Sequence, residues 1–199
     1  MEKNQRISIT DTDVMEDNEI VAKVQNGEEA FFDCVIKRYE QKIFAYIMRL
    51  VKNADEARDL TQIVFIKSLR HIDSFDTNKK FSSWIYRIAH NETMNWFGHN
   101  NHNRTVSIDD VNGVATRDFA DSADVALEEW FQAELRDELR DALAQLPVHY
   151  AEVLRMKYFE DKSYKEIGDI LHKPVSSVGT LIRRAKKRLL VIVLQSERL

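Results

Sequence analysis

The 199-residue sequence is short of turn formers, with five glycines and two prolines. Strand-rich folds need frequent Gly and Pro punctuation, so the scarcity favours an all-helical protein. One cysteine, Cys34, excludes an intrachain disulfide framework and fits a reducing compartment. Long apolar runs are also missing. The longest near the end, Leu189–Leu194, has six residues, against the roughly 20 that span a bilayer. The opening thirty residues are polar and acidic, so no secretory signal is expected. A cytoplasmic protein, not itself membrane-inserted, is the expectation. Catalytic signatures are absent too: no Gly-rich phosphate loop, no Gly-x-Ser-x-Gly, no Cys-x-x-Cys. His90, His99 and His102 lack a cysteine partner and read as surface histidines rather than a metal site. No enzymatic activity, cofactor, metal or small-molecule substrate is expected.

What is present suffices for a packed core, at 44% hydrophobic and 31% charged residues. The length allows one large domain or two small ones. The net charge of −4 argues against a nucleic-acid partner, but its distribution does not. Residues 109–141 hold eleven acids and three arginines, a balance of −8, so the remainder sums to +4. Six bases and no acid lie between Ile170 and Ser196. Four bases and one acid lie between Lys79 and Arg104. Local positive patches set phosphate attraction, although two solvated helix faces would show the same charges.

Hydrophobic spacing divides the chain into two helical blocks. Asp17–Gly27 reads as a short helix, Glu28–Lys52 as a second with Phe31, Phe32, Val35, Tyr39, Ile43, Ile47 and Leu50 inward, and Ala54–Ile72 as a third. Asp73–Lys80 is a loop, and Phe81–Phe97 is a fourth helix rich in aromatics. Residues 99–124 form an acidic, flexible linker. The second block reads as helices over Val125–Leu146, Pro147–Phe159, Ser163–Leu171 and Val175–Leu194. The expected organisation is an N-terminal tail (1–16), a helical domain (17–98), the linker, and a second helical domain (125–199).

The second block carries the clearest local signal. Ser163 and Glu166 have capping-box spacing, and Tyr164, Ile167 and Leu171 follow on one face. After His172-Lys173-Pro174, the next helix places Val178, Ile182, Ala185 and Leu189 inward. Ser177, Thr180, Arg184, Lys187 and Arg188 lie opposite, with Arg183 at the edge. Two short helices joined by a tight turn, the second presenting hydroxyls and guanidinium groups, describe a helix-turn-helix suited to the major groove. An ordinary amphipathic pair with a basic exterior is the plainer alternative.

In the third helix Ala57, Leu60 and Val64 share a face, with Phe65 at its border. Asp59, Gln62, Ile63 and Ile66 lie opposite. A solvated face does not need isoleucines and a buried one does not favour a carboxylate, so this face suits a protein contact. A helix buried on most sides is the alternative. The fourth helix mixes Trp84, Tyr86, Trp96 and Phe97 with Arg87, His90, Asn91 and Asn95, after Lys79 and Lys80. That inventory can hold unstacked bases, or it can pack a core, as Trp84 and Ile88 at a spacing of four suggest.

Together the two blocks resemble the sigma-70 family of RNA polymerase sigma factors, in particular the small extracytoplasmic-function (ECF) class with regions 2 and 4. The matching stretches run from GEEAFFDCVIKRYEQKIF through ADEARDLTQIVFIKSLRHIDSF, then FSSWIYRIAHNETMNWF, then LRDALAQLPVHYAEVLRMKYFEDKSYKEIGDILHKPVSSVGTLIRRAKKRL. The resemblance implies an all-α fold: a region 2 bundle and a region 4 helix-turn-helix joined by an acidic linker. It implies core RNA polymerase as partner, through the β′ clamp helices and the β flap, with Asp59, Gln62, Ile63 and Ile66 on the docking face. Ile63 stands where the family usually has an acid. It implies recognition and melting of the promoter −10 element by Asn78, Lys79, Lys80, Trp84, Arg87, Asn91 and Asn95. It implies −35 recognition by Ser176, Ser177, Gly179, Thr180, Arg183, Arg184 and Lys187, with Gly179 replacing a frequent longer residue. An anti-sigma factor is a further implied partner. A polymerase-independent two-domain helix-turn-helix regulator is the rival reading, but it gives the Asp59/Gln62/Ile63 face and the Asn/aromatic helix no role. An interaction protein that binds polymerase without promoter recognition is a third.

Overall fold

A computed structural model of the protein describes residues 15–100 and 136–196. The chain divides into two compact units, the first built mainly from residues 1–101 and the second mainly from residues 102–199. Every regular element among the described residues is helical.

The first unit contains α1 (Asp17–Gln25), α2 (Phe32–Val51), α3 (Ala54–Arg70) and α4 (Phe81–Asn100). Glu19 caps the start of α1 by accepting from the Glu16 N–H at 3.2 Å. Beyond α1, Gly27 takes φ +91°, a conformation that side chains with a Cβ rarely adopt. The helix expected over Glu28–Lys52 is shorter. Glu29–Phe31 is a 3-10 turn, because Glu28 (φ −83°, ψ 61°) is not helical, and Phe31 instead lies under the Lys23 ammonium, 4.6 Å from its ring centre. α2 ends at Lys52, which is left-handed (φ 58°, ψ 24°). The Asn53 carboxamide oxygen then accepts from the Asp55 and Glu56 N–H groups at 3.0 and 3.3 Å, opening α3. This left-handed residue followed by a cap turns two long helices antiparallel within two residues. α3 stops at Arg70 rather than Ile72, because a tighter 3-10 turn, Ile72–Ser74, buries Ile72 and brings Phe75 into the core.

α2 packs on α3 and α4, α3 packs on α4, and α1 packs on α2 and α4. The spacing of Phe32, Val35, Tyr39, Ile43, Ile47 and Leu50 is that of one helix face, and all six are buried. Each fully buried aliphatic side chain of this kind contributes about 1.5–3 kcal/mol relative to exposure. α4 runs to Asn100, so the expected linker start at 99 is corrected by two residues: the helix continues through Gly98 and His99. Its core face is Phe81, Ile85, Ala89 and Thr93; Ile88, expected inward, is only half-buried. The tail 1–14, the linker from 101 to 124 and the start of the second block (125–135) lie outside the described residues.

The second unit contains α5 (Arg136–Gln145), α6 (Val148–Tyr158), α7 (Tyr164–Leu171) and α8 (Val175–Ser196), with α8 packed on α5 and α6. Pro147 caps α6. The Ser163/Glu166 capping box is formed reciprocally: Glu166 N–H donates to Ser163 Oγ at 3.2 Å, and Ser163 N–H donates to the Glu166 carboxylate at 2.8 Å. Val178, Ile182, Ala185 and Leu189 are all buried, as their spacing requires.

Candidate nucleic-acid and protein interfaces

The turn between α7 and α8 decides how α8 is presented. His172 is left-handed (φ 52°, ψ 44°), and the Lys173 N–H donates to the Gly168 carbonyl at 3.0 Å. A Cβ on Gly168 would lie 2.7 Å from the Lys173 carbonyl oxygen, so only glycine lets the chain fold back this closely. Pro174 then accepts from the Ser177 and Val178 N–H groups at 2.9 and 3.1 Å and opens α8. With the aliphatic face held inward, Ser176, Ser177, Thr180, Arg183 and Arg184 are exposed in one stretch. The Thr180 hydroxyl donates to the Ser176 carbonyl at 3.1 Å, so its oxygen lone pairs remain available as acceptors. Gly179 is half-buried, and a Cβ there would meet the Tyr164 ring at 3.7 Å.

The other bases of α8 are engaged within the unit. Lys186 is buried with its ammonium 5.3 Å from the Tyr158 ring centre. The Arg188 guanidinium lies 5.1 Å from the Tyr150 ring centre, which takes Arg188 off the exposed face where its spacing put it. Lys187 is half-buried. Burial, with the nearby Arg188 charge, pushes the His149 imidazole below the usual histidine range.

In the first unit, α3 divides as its spacing predicts. Ala57, Leu60, Val64 and Phe65 are buried, while Asp59, Gln62, Ile63 and Ile66 are exposed. Ile63 and Ile66 are 37% and 50% exposed, and Leu69, 40% exposed, prolongs the apolar strip. Leu69 is not among the residues expected on this face, although it continues the three-residue spacing of Ile63 and Ile66.

Of the residues assigned to −10 recognition, Asn78, Lys79, Lys80, Asn91 and Asn95 are exposed and Arg87 is half-buried. Arg87, Asn91 and Asn95 recur every four residues and form one stripe along α4. Trp84 does not join them. It is only 9% exposed, its ring 5.4 Å from Phe75 and 5.5 Å from Phe81 between centres. Trp84 is a core residue that supports the loop ahead of α4, because the helical turn aims it inward beside Phe81. Tyr86 is likewise buried against Tyr46, and Trp96 and Phe97 are half-buried. The Asp76 carboxylate accepts from the Asn78 N–H and side-chain amide, both at 3.0 Å. Those two bonds, backbone first, hold it below the usual carboxylate range. No cluster of His, Cys, Asp and Glu able to hold a metal occurs among the described residues. No helix among them is long and apolar enough to cross a membrane.

Comparison with known proteins fits this geometry. The family model for sigma-70 region 2 matches residues 35–102, and that for sigma-70 region 4 matches residues 136–189. The ECF RNA polymerase sigma factor SigW of Bacillus subtilis is 32% identical over 172 residues, 85% of this chain and 92% of the relative. This chain belongs to the ECF class of the sigma-70 family. The RNA polymerase sigma-H factor of Pseudomonas aeruginosa is also 32% identical, over 86% of this chain and 91% of the relative. Among solved structures, CnrH in complex with the cytosolic domain of CnrY has the same fold (TM-score 0.62, 18% identity, 89% of this chain and 96% of that one). So does the sigma factor RpoE, solved with the anti-sigma factor NepR from Bartonella quintana (TM-score 0.57, 19% identity, 81% and 96%). The first unit of this ECF sigma factor is therefore region 2 and the second region 4. The polymerase-independent regulator is set aside, since region 2 occupies the place where it would need a ligand or dimer domain.

Proposed function

We propose that the two units of this sigma factor divide promoter recognition between them. The region 2 unit docks on the β′ clamp helices of core RNA polymerase through Asp59, Gln62, Ile63 and Ile66. The observation that carries this is the exposure of two isoleucines beside a carboxylate and an amide on one face of α3, whose opposite face is fully packed. Solvent does not favour such a face, but a protein partner does.

On the same unit, the exposed loop around Asn78, Lys79 and Lys80 and the Arg87/Asn91/Asn95 stripe receive the non-template strand of the −10 element. Opening the duplex costs a few kcal/mol per unstacked step. Amide and cationic groups that seat an extruded base offset part of that cost. In the region 4 unit, Ser176, Ser177, Thr180, Arg183 and Arg184 read the −35 element from the major groove. There Arg reaches guanine bidentately and hydroxyls reach bases or phosphates. Gly179 and Lys187 stand on the same helix but are half-buried, Gly179 beside the Tyr164 ring. Held on one polymerase, the two weak contacts act as a bivalent reader.

The protein supplies recognition and opening, while the polymerase supplies catalysis. An anti-sigma factor is proposed as its regulator, the kind of partner with which RpoE was solved. The test is permanganate footprinting of promoter DNA with core polymerase and this protein. Reactive thymines confined to a −10 element, dependent on the protein, are expected. Binding without any reactive thymine would overturn the melting role.

A further inference from the structure

Residues 76–80 are all exposed, so burial does not fix the loop that presents Asn78, Lys79 and Lys80. What fixes it from outside is α1. The Asn18 side-chain amide donates to the carbonyl oxygens of Thr77 and Lys79 at 2.7 and 2.8 Å. Its oxygen accepts from the Phe81 N–H, the first residue of α4, at 3.3 Å. Two helical turns further on, the Gln25 amide donates to the carbonyls of Ile72 and Phe75 at 2.7 and 2.9 Å. A separation of seven residues puts both amides on one face of α1. Four carbonyls of one connection, at 72, 75, 77 and 79, thus face a single helix. Asn18 bonds both to the loop and to the first residue of the helix that carries Arg87, Asn91 and Asn95.

We propose that Asn18 and Gln25 are positioning residues for −10 recognition, clamping the main chain of residues 72–80 so that Asn78, Lys79 and Lys80 meet the extruded base without first ordering the loop. This rests on the reading above that the loop receives the non-template strand. A loop already ordered loses little conformational entropy on binding, and that saving appears as affinity and as base discrimination.

The test uses the full chain bound to core polymerase and a fluorescent single-stranded oligonucleotide carrying a −10 element from a promoter that it transcribes. The same oligonucleotide with the extruded base substituted is the comparison. Asn18→Asp keeps the acceptor for the Phe81 N–H but removes both donors and sets an anion against two carbonyls. Gln25→Leu removes the two bonds to Ile72 and Phe75. Asn18→Asp is expected to weaken oligonucleotide binding by about 10- to 100-fold, as the loss of two hydrogen bonds allows. It is also expected to erase most discrimination against the substituted base, with core affinity and −35 duplex binding unchanged.

Should Asn18→Asp fail to fold by circular dichroism, Gln25→Leu carries the test with the same expectation at about 10-fold. An equal loss of core affinity would mean that the bonds only stabilise the unit, and would overturn the positioning role. So would folded variants that bind like the parent while Asn78→Ala with Lys79→Ala binds weakly. If that double variant itself binds like the parent, the loop reads no base, and the clamp falls together with the reading beneath it.

Discussion

Trp96 donates its indole N–H to the Glu56 carboxylate at 2.7 Å, across forty residues of sequence. The bond joins the end of α4 to the first turn of α3. Lys67 and Glu92, 2.7 Å apart, join the same two helices further along. The face proposed to dock on polymerase and the stripe proposed to receive DNA therefore lie on two helices bonded directly to each other.

Trp96→Phe removes only the donor and keeps most of the ring packing. The expected loss is about 1–3 kcal/mol for a bond to a charged acceptor. It should appear as a fall of several degrees in the melting temperature of the region 2 unit, followed by calorimetry, while −35 duplex binding is unchanged.

Ile66→Ala combined with Asp59→Ala touches side chains that are exposed, so stability should change by no more than about 0.5 kcal/mol per site. Core polymerase affinity should fall at least tenfold, about 1.4 kcal/mol, if this face docks. Surface plasmon resonance on immobilised core enzyme measures it. Unchanged affinity would remove the docking assignment from α3.

The two glycines of the helix-turn-helix should respond in opposite directions. Gly168→Ala sets a methyl group 2.7 Å from the Lys173 carbonyl, which is backbone and cannot step aside, so a loss of about 1–3 kcal/mol is expected. Gly179→Ala meets only the Tyr164 ring at an ordinary 3.7 Å, and the gain in helix propensity of about 0.5–1 kcal/mol should make it neutral to stabilising. Thermal unfolding of the two variants separates them.

Arg183→Ala and Arg184→Ala should each weaken binding to a cognate −35 duplex by about 1–3 kcal/mol where a base contact is lost. Binding to random duplex should fall much less. Equal losses on both, with a shallower salt dependence, would assign these arginines to phosphates alone.

Asp76 offers a pH test. Its carboxyl sits below the ordinary range because Asn78 donates to the charged form. The order it lends the loop is present above the ordinary carboxylate value and is lost as pH falls through the depressed one. NMR titration should place Asp76 below the ordinary carboxylate value, and Asn78→Ala, which removes the side-chain bond but keeps the backbone one, should return it part of the way upward.

The helical architecture was legible because long amphipathic helices write their packing into spacing. Val178, Ile182, Ala185 and Leu189 could be placed inward, and Arg184 outward with Arg183 at the edge, from period alone, although Arg188, placed outward by the same period, lies over Tyr150. The Ser163/Glu166 box announced its helix in the same way. Short 3-10 turns left no period, so the ends of α2 and α3 were set by Glu28 and by the burial of Ile72. Trp84 was ambiguous in sequence, since an aromatic among asparagines can stack on a base or on Phe75 and Phe81; only its inward rotation decides. Asn18 and Gln25 could not be found at all, because a side-chain amide bound to carbonyls 47 to 61 residues away leaves no local pattern.

The most direct measurement is run-off transcription with purified core RNA polymerase, this protein and a library of genomic promoter fragments. The account predicts discrete transcripts that require the protein and start downstream of one shared pair of −10 and −35 elements. Stable association with core enzyme but no start site on any fragment, or no association at all, would contradict it.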